Sequence, residues 1–111
     1  MRPDPIEEGQ SVWQHHVAAF MRRHHLLHDP VTHALDLVSE IGEVAKEVLL
    51  ATDYGRRAPQ FRPGLADELG DALYSLLALA EACGVDADSA LDATLEKYER
   101  RLAEQGGAGS K

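Results

Sequence analysis

The chain has 111 residues, the length of a single domain, and its 19 Asp and Glu against 11 Lys and Arg give a net charge of −8. This excess repels a phosphate backbone and an anionic lipid surface, so the composition disfavours binding to nucleic acid or to a membrane. No apolar run is long enough to span a membrane and no signal-peptide core is visible, so we expect a cytoplasmic protein.

Four helices are predicted, because the chain is rich in Ala and Leu. The first is predicted over residues 6–27, where apolar residues recur every seven positions, and Asp29-Pro30 interrupts the pattern. The second is predicted over residues 31–53, and residues 54–63, rich in Gly, Pro and Arg, are predicted as a loop. An apolar stripe on the second helix is expected to face its neighbours: Ala34, Val38, Ile41, Ala45 and Val48, broadened by Leu37, Val44 and Leu49.

The third helix is predicted over residues 64–83, and Gly84 follows as its C-terminal glycine. Asp86 is predicted to cap a fourth helix that ends near Gln105. Cys83 cannot form an internal disulfide and is expected to be a small core residue. We therefore expect one all-α domain over residues 1–105, with antiparallel neighbouring helices and a flexible tail at 106–111. The expected inward residues are Leu65, Leu69, Ala72, Leu73, Leu76 and Ala80, then Leu91, Leu95, Tyr98 and Leu102.

The sequence contains two pairs of carboxylates, and the two members of each pair are one helical turn apart. Glu40 and Glu43 lie on the second predicted helix, and Glu68 and Asp71 repeat the spacing on the third. If the two helices pack antiparallel, the four carboxylates converge at the edge of the core, where hard oxygen ligands suit Mg²⁺, with Mn²⁺ as a substitute. The alternative is that each pair belongs to a solvated acidic face.

The two motifs, Ser39-Glu40-Ile41-Gly42-Glu43 and Asp67-Glu68-Leu69-Gly70-Asp71, resemble those of the MazG-like nucleoside triphosphate pyrophosphohydrolases of the all-α NTP pyrophosphatase superfamily. The turn at 84–86 and the stretch at 96–101 extend the resemblance over roughly residues 10–103. It implies a four-to-five-helix bundle completed by dimerisation, sometimes as a tetramer. It also implies Mg²⁺-dependent hydrolysis of a (deoxy)nucleoside triphosphate to monophosphate and pyrophosphate, as in nucleotide-pool sanitation.

The resemblance also implies roles for individual residues. Glu40, Glu43, Glu68 and Asp71 would hold the metal, and Glu40 or Glu43 would assist the attacking water. Many relatives have a further Glu where this chain has Ser39, which leaves the number of metal ions open. Three cations of the fourth helix are candidates for binding the outer phosphates, or else complement the helix dipole: Lys97, Arg100 and Arg101. Trp13 is a candidate for stacking on the base, with a core position as the alternative.

Three other functions remain open at this point. A phosphoribosyl-ATP pyrophosphohydrolase belongs to the same superfamily. A non-catalytic helical interaction module would use its acidic residues only for solubility. A redox di-metal bundle is the least favoured, because such bundles pair Glu-x-x-His motifs, whereas positions 43 and 71 are Glu and Asp here.

Overall fold

The computed structural model describes residues 12–105, and within that range the chain forms four α-helices and no strand. They are α1 (Val12–Arg23), α2 (Pro30–Ala51), α3 (Gly64–Ala82) and α4 (Ala87–Gln105). The all-α class is therefore confirmed. The predicted tail at 106–111 and the predicted helical residues 6–11 lie outside the described residues. None of the described helices is sufficiently long and apolar to cross a membrane.

The first helix ends earlier than predicted, at Arg23 rather than near residue 27. His25 has a φ of 56°, in the left-handed region, and therefore cannot continue the helix. The amide of Leu26 instead donates a hydrogen bond to the carbonyl of Met21 at 2.8 Å, which closes the turn. Asp29 then caps α2 by accepting a hydrogen bond from the amide of Thr32 at 2.8 Å.

The loop between α2 and α3 occupies its predicted place, but α2 ends at Ala51, two residues earlier than predicted. Asp53 and Tyr54 have φ angles of 47° and 57°, in the left-handed region, and the helix therefore ends before them. The Thr52 hydroxyl donates to the carbonyl of Val48 at 3.0 Å and accepts from the amide of Gly55 at 3.0 Å. These bonds hold the turn that leads the chain back toward α3.

The turn between α3 and α4 follows the predicted chemistry. Gly84 has a φ of 69°, and Asp86 accepts a hydrogen bond from the amide of Ser89 at 3.2 Å, as an N-cap does. The Gln14 side chain ties α1 to this turn: it donates to the carbonyl of Val85 at 2.8 Å and accepts from the amide of Ala87 at 2.8 Å. The start of α4 is therefore anchored on α1.

The expected inward faces are only partly confirmed for the described chain: Ala72 is buried and Leu65 and Ala80 are half-buried, but several large residues are exposed. α3 packs against both α1 and α2, and the buried apolar residues are mostly small: Ala18, Ala19, Met21, Ala51, Ala72, Leu77 and Ala78. Val38 and Ile41 of the predicted stripe are 70% and 54% exposed, and Leu69 and Leu76 of α3 are also exposed. Cys83, expected in the core, is exposed as well.

The described chain is not compact, because α4 packs little against the other helices. This helix buries no residue, and the leucines predicted to face inward are exposed: Leu91, Leu95 and Leu102. The radius of gyration is 17.0 Å, whereas a compact chain of this length has about 13 Å. The chain alone therefore leaves much of its apolar helix surface uncovered.

Candidate functional site

The seam between α2 and α3 contains carboxylates where hydrophobic residues are usual. From Leu37 onward, the residues of α2 that are buried or half-buried follow an alternating spacing of three and four: Leu37, Glu40, Val44, Glu47 and Ala51. The corresponding positions on α3 are Leu65, Glu68, Ala72, Ser75 and Leu79. Three glutamates thus occupy packing positions: Glu40 and Glu47 on α2 and Glu68 on α3. On α2, each lies about 100° of helix rotation from the next stripe residue, Ile41 or Val48.

The two helices run antiparallel, which brings the sequence motifs together. Asp36 lines one cleft with Ser75, while at the other end of the seam a Cβ added to Gly64 would lie 3.4 Å from the Glu47 carboxylate. Between these ends, one carboxylate oxygen from each of Glu40, Glu68 and Asp71 lies within 4.8 Å of the other two. Three of the four predicted metal ligands therefore converge in one chain.

Glu43, the fourth predicted ligand, lies beside this group rather than in it. Its side chain is exposed, and none of its oxygens belongs to the group of three. Partial burial raises the pKa of the Glu68 carboxyl group, and neighbouring negative charges raise it further, Glu43 being the first of them. The other contributors are Asp71, Glu40 and Glu47. The site is thus a region of concentrated negative charge with Glu68 at its centre.

The three clustered carboxylates have no basic partner among residues 12–105. The ion pairs in that range join Arg22 to Glu81, Arg56 to Asp53 and Arg62 to Glu47. Glu40 and Glu68 are half-buried and Asp71 is exposed. Carboxylates at close range repel one another unless a cation or a proton compensates them, and partial burial strengthens the repulsion. The donor set consists only of hard oxygen atoms, which is the chemistry that Mg²⁺ and Mn²⁺ prefer.

A second cleft adjoins the acidic group. Trp13 and His16 of α1 line it together with Gly70 and Tyr74 of α3, and Tyr74 also lines the acidic cleft. Trp13 is 64% exposed, so the alternative that placed it in the core is wrong for the described chain. Burial and the charge of Asp36 raise the pKa of the Tyr74 hydroxyl, which keeps it neutral at physiological pH. An aromatic surface thus lies next to the carboxylates.

The predicted phosphate-binding cations are not at the acidic group within one chain. Lys97 and Arg101 flank the ring of Tyr98, at 5.4 Å and 6.0 Å from its centroid. Arg100 lines a shallow groove formed by α4 residues alone. In the described part of the chain, none of the three forms an ion pair.

Tyr74, His16 and Arg62 were not predicted from the sequence as site residues. Tyr74 and His16 share a cleft only because α1 packs across α3, a contact that no local pattern encodes. Arg62 bonds to Glu47, fifteen residues earlier, and the pairing exists only after the loop has folded back. The one available signal was the basic character of residues 54–63.

Comparison with known proteins agrees with this geometry. A family model, described as the MazG nucleotide pyrophosphohydrolase domain, matches residues 29–104 and so includes both carboxylate pairs. No match was found among curated proteins or solved structures. The family match covers more than half of the chain and contains α2, α3 and nearly all of α4. The chain therefore belongs to the MazG nucleotide pyrophosphohydrolase family.

Proposed function

We propose that this protein is a Mg²⁺-dependent hydrolase that converts (deoxy)nucleoside triphosphates to monophosphate and pyrophosphate in nucleotide-pool sanitation. Family membership supports nucleotide pyrophosphohydrolase activity in general. The observation that carries the finer proposal is the group formed by Glu40, Glu68 and Asp71, three oxygen donors in a helix seam with no basic partner among residues 12–105.

The residues present fit a divalent cation. Glu40, Glu68 and Asp71 would hold it, since each offers one oxygen within 4.8 Å of the others. The bound metal would neutralise phosphate charge and make a coordinated water more acidic. The raised pKa of Glu68 supports the assignment, because a cation would relieve the repulsion that contributes to it.

Glu43 is our candidate for orienting and deprotonating the attacking water. Its carboxylate lies close enough to raise the pKa of Glu68, yet it remains exposed and outside the group of three. A base must be near the metal ligands without being consumed as one of them. Glu40 is the alternative base, but its oxygen already belongs to the metal-binding group.

The cleft beside the carboxylates is our candidate for the nucleobase. Trp13 offers a largely exposed indole, and His16 and Tyr74 complete an aromatic wall. Stacking on aromatic rings is tolerant of base identity and contributes about 1–3 kcal/mol per base in single-strand binders. Because Tyr74 borders both clefts, a nucleotide with its base on Trp13 would direct its phosphates toward Asp71.

We propose that the working form is a homodimer, alone or within a tetramer. Apolar side chains remain exposed on α2, α3 and α4, and they recur at helical spacing rather than singly. A second copy would supply the missing neighbours of α4. It would also allow Lys97, Arg100 and Arg101 of one chain to approach the carboxylates of the other, which they do not reach within their own chain.

The test is hydrolysis of a panel of canonical and damaged nucleoside triphosphates, and of phosphoribosyl-ATP, with Mg²⁺ and detection of pyrophosphate. We expect release from at least one nucleoside triphosphate, and loss of at least a hundredfold in kcat for Asp71→Asn. Asp67→Asn is the matched control: Asp67, like Asp71, is an exposed aspartate of α3, but it lies outside the group of three.

The other outcomes decide between the alternatives. Activity confined to phosphoribosyl-ATP would assign the protein to that reaction instead. Absence of activity across the panel, with the protein folded and Mg²⁺ present, would favour the helical interaction module. Equal loss in Asp67→Asn and Asp71→Asn would show that total charge matters rather than the three-carboxylate group.

A further inference from the structure

Arg62 forms a bidentate ion pair with Glu47 at the end of the α2–α3 seam. Its Nε donates to one carboxylate oxygen at 2.9 Å and its Nη2 to the other at 3.0 Å. The Glu47 side chain is only 14% exposed, whereas that of Arg62 is 57% exposed. The bond lowers the pKa of Glu47, so the pair stays ionised at neutral pH. One edge of the guanidinium is therefore fixed and the other faces outward.

The pair lies one to two helical turns from the acidic group. Glu47 follows Glu40 by seven residues on α2, and Gly64, against which the Glu47 carboxylate lies, precedes Glu68 by four residues on α3. Four residues of α-helix rise about 6 Å. A Cβ at Gly64 would lie 3.4 Å from the Glu47 carboxylate, which places that carboxylate against the start of α3. Glu47 thus holds the Arg62 guanidinium at the end of the seam that continues into the acidic group.

The guanidinium retains donors for a ligand. Arginine has five N–H groups, and two of them are bonded to Glu47. No other hydrogen bond of the Arg62 side chain occurs among the described residues, so three of its N–H groups remain available. A rigid planar donor edge suits a phosphate group. A polyphosphate approaching these carboxylates needs positive charge beyond that of the metal, and the α4 cations do not supply it within the same chain.

We propose that Arg62 is a substrate-binding residue that contacts the outer phosphates, and that Glu47 is a positioning residue that orients it. The inference rests on the proposed function, since it names a phosphate contact of the same site. Glu47 is accordingly not a metal ligand: both of its oxygens are bonded to Arg62, although it shares a helix face with Glu40 and Glu43.

The experiment measures binding of inorganic pyrophosphate in the presence of Mg²⁺ by calorimetry. Removing Arg62 alone would leave the Glu47 charge unpaired, so the comparison is between Glu47→Gln and the double variant Glu47→Gln/Arg62→Ala. We expect the double variant to bind pyrophosphate about tenfold more weakly than Glu47→Gln does, which is the effect of losing one charge-assisted hydrogen bond. Arg62→Lys should weaken it less than Arg62→Ala does. Arg56→Ala is the control, because Arg56 lies in the same loop and pairs only with exposed Asp53.

Two further readouts separate binding from a structural role. The affinity for Mn²⁺ alone and the melting temperature should be the same in the double variant and in Glu47→Gln. A parallel loss of Mn²⁺ affinity would show that the pair merely holds the helices together, and unchanged pyrophosphate binding would exclude the contact. Because this assay needs no turnover, Arg62-dependent pyrophosphate binding without nucleotide hydrolysis would refute the proposed function and leave the phosphate contact intact.

Discussion

Gly70 provides a sharp test of the cleft, because the same substitution should stabilise the fold and impair the site. Gly70 lies inside α3 between Leu69 and Asp71, and a Cβ added there meets no atom within 4 Å. Glycine in a helix interior costs about 0.5–1 kcal/mol relative to alanine. Gly70→Ala should therefore raise the free energy of unfolding by about that amount, which corresponds to roughly 2–8 °C in melting temperature for a domain of this size.

The same methyl group enters the cleft lined by Trp13 and Tyr74. We expect the KM for the preferred nucleotide to rise several-fold in Gly70→Ala. The affinity for pyrophosphate in the presence of Mg²⁺ should stay unchanged, because pyrophosphate has no base. Thermal unfolding by circular dichroism, steady-state kinetics and calorimetry measure the three quantities. A lower melting temperature would show that the space beside Gly70 is filled in solution. A higher one with unchanged KM would refute the base assignment.

Two other predictions concern charge and assembly. Because the pKa of Glu68 is raised in the folded state, its ionisation destabilises the fold, and the metal-free protein should become more stable as the pH falls from neutral through that raised pKa. Glu68→Gln should abolish this pH trend and also the rise in melting temperature on adding Mg²⁺; a variant that Mg²⁺ still stabilises would contradict the site. Val38 is 70% exposed, so Val38→Lys should leave the helix content unchanged but convert a dimer to a monomer in sedimentation, and a monomeric wild type would refute the dimer.

Features that depend on neighbours along the chain could be predicted from the sequence. Gly84 and Asp86 act at the ends of helices as expected, because caps and left-handed turns involve residues within one turn of each other. The predicted end of α1 was wrong, because His25 has a positive φ, which is uncommon for residues other than glycine. Local rules assign such a position to glycine or asparagine before histidine.

The packing faces could not be predicted in the same way. Hydrophobic periodicity selected Val38 and Ile41 of α2 as inward, yet they are exposed, while Glu40 and Glu47 lie in the seam. Periodicity identifies an apolar face but not what covers it, and a carboxylate in a seam is counted as solvated. The acidic spacing nevertheless identified the pairs Glu40/Glu43 and Glu68/Asp71, because positions three or four apart share a face of a helix. Antiparallel packing brings three of these four carboxylates together, and Glu43 lies beside them.

The antiparallel seam also determines which changes in chain length the protein can accept. Every carboxylate of the group lies on a helix, so one inserted residue between Glu40 and Glu47, or between Gly64 and Asp71, would rotate the following side chains by about 100° and remove a carboxylate from the seam. The loop at 52–63 carries none of the three. Lengthening it costs little entropy, about 0.6 kcal/mol for each doubling. Variation in length is therefore expected in that loop, whereas the helical segments on either side must keep their residue count.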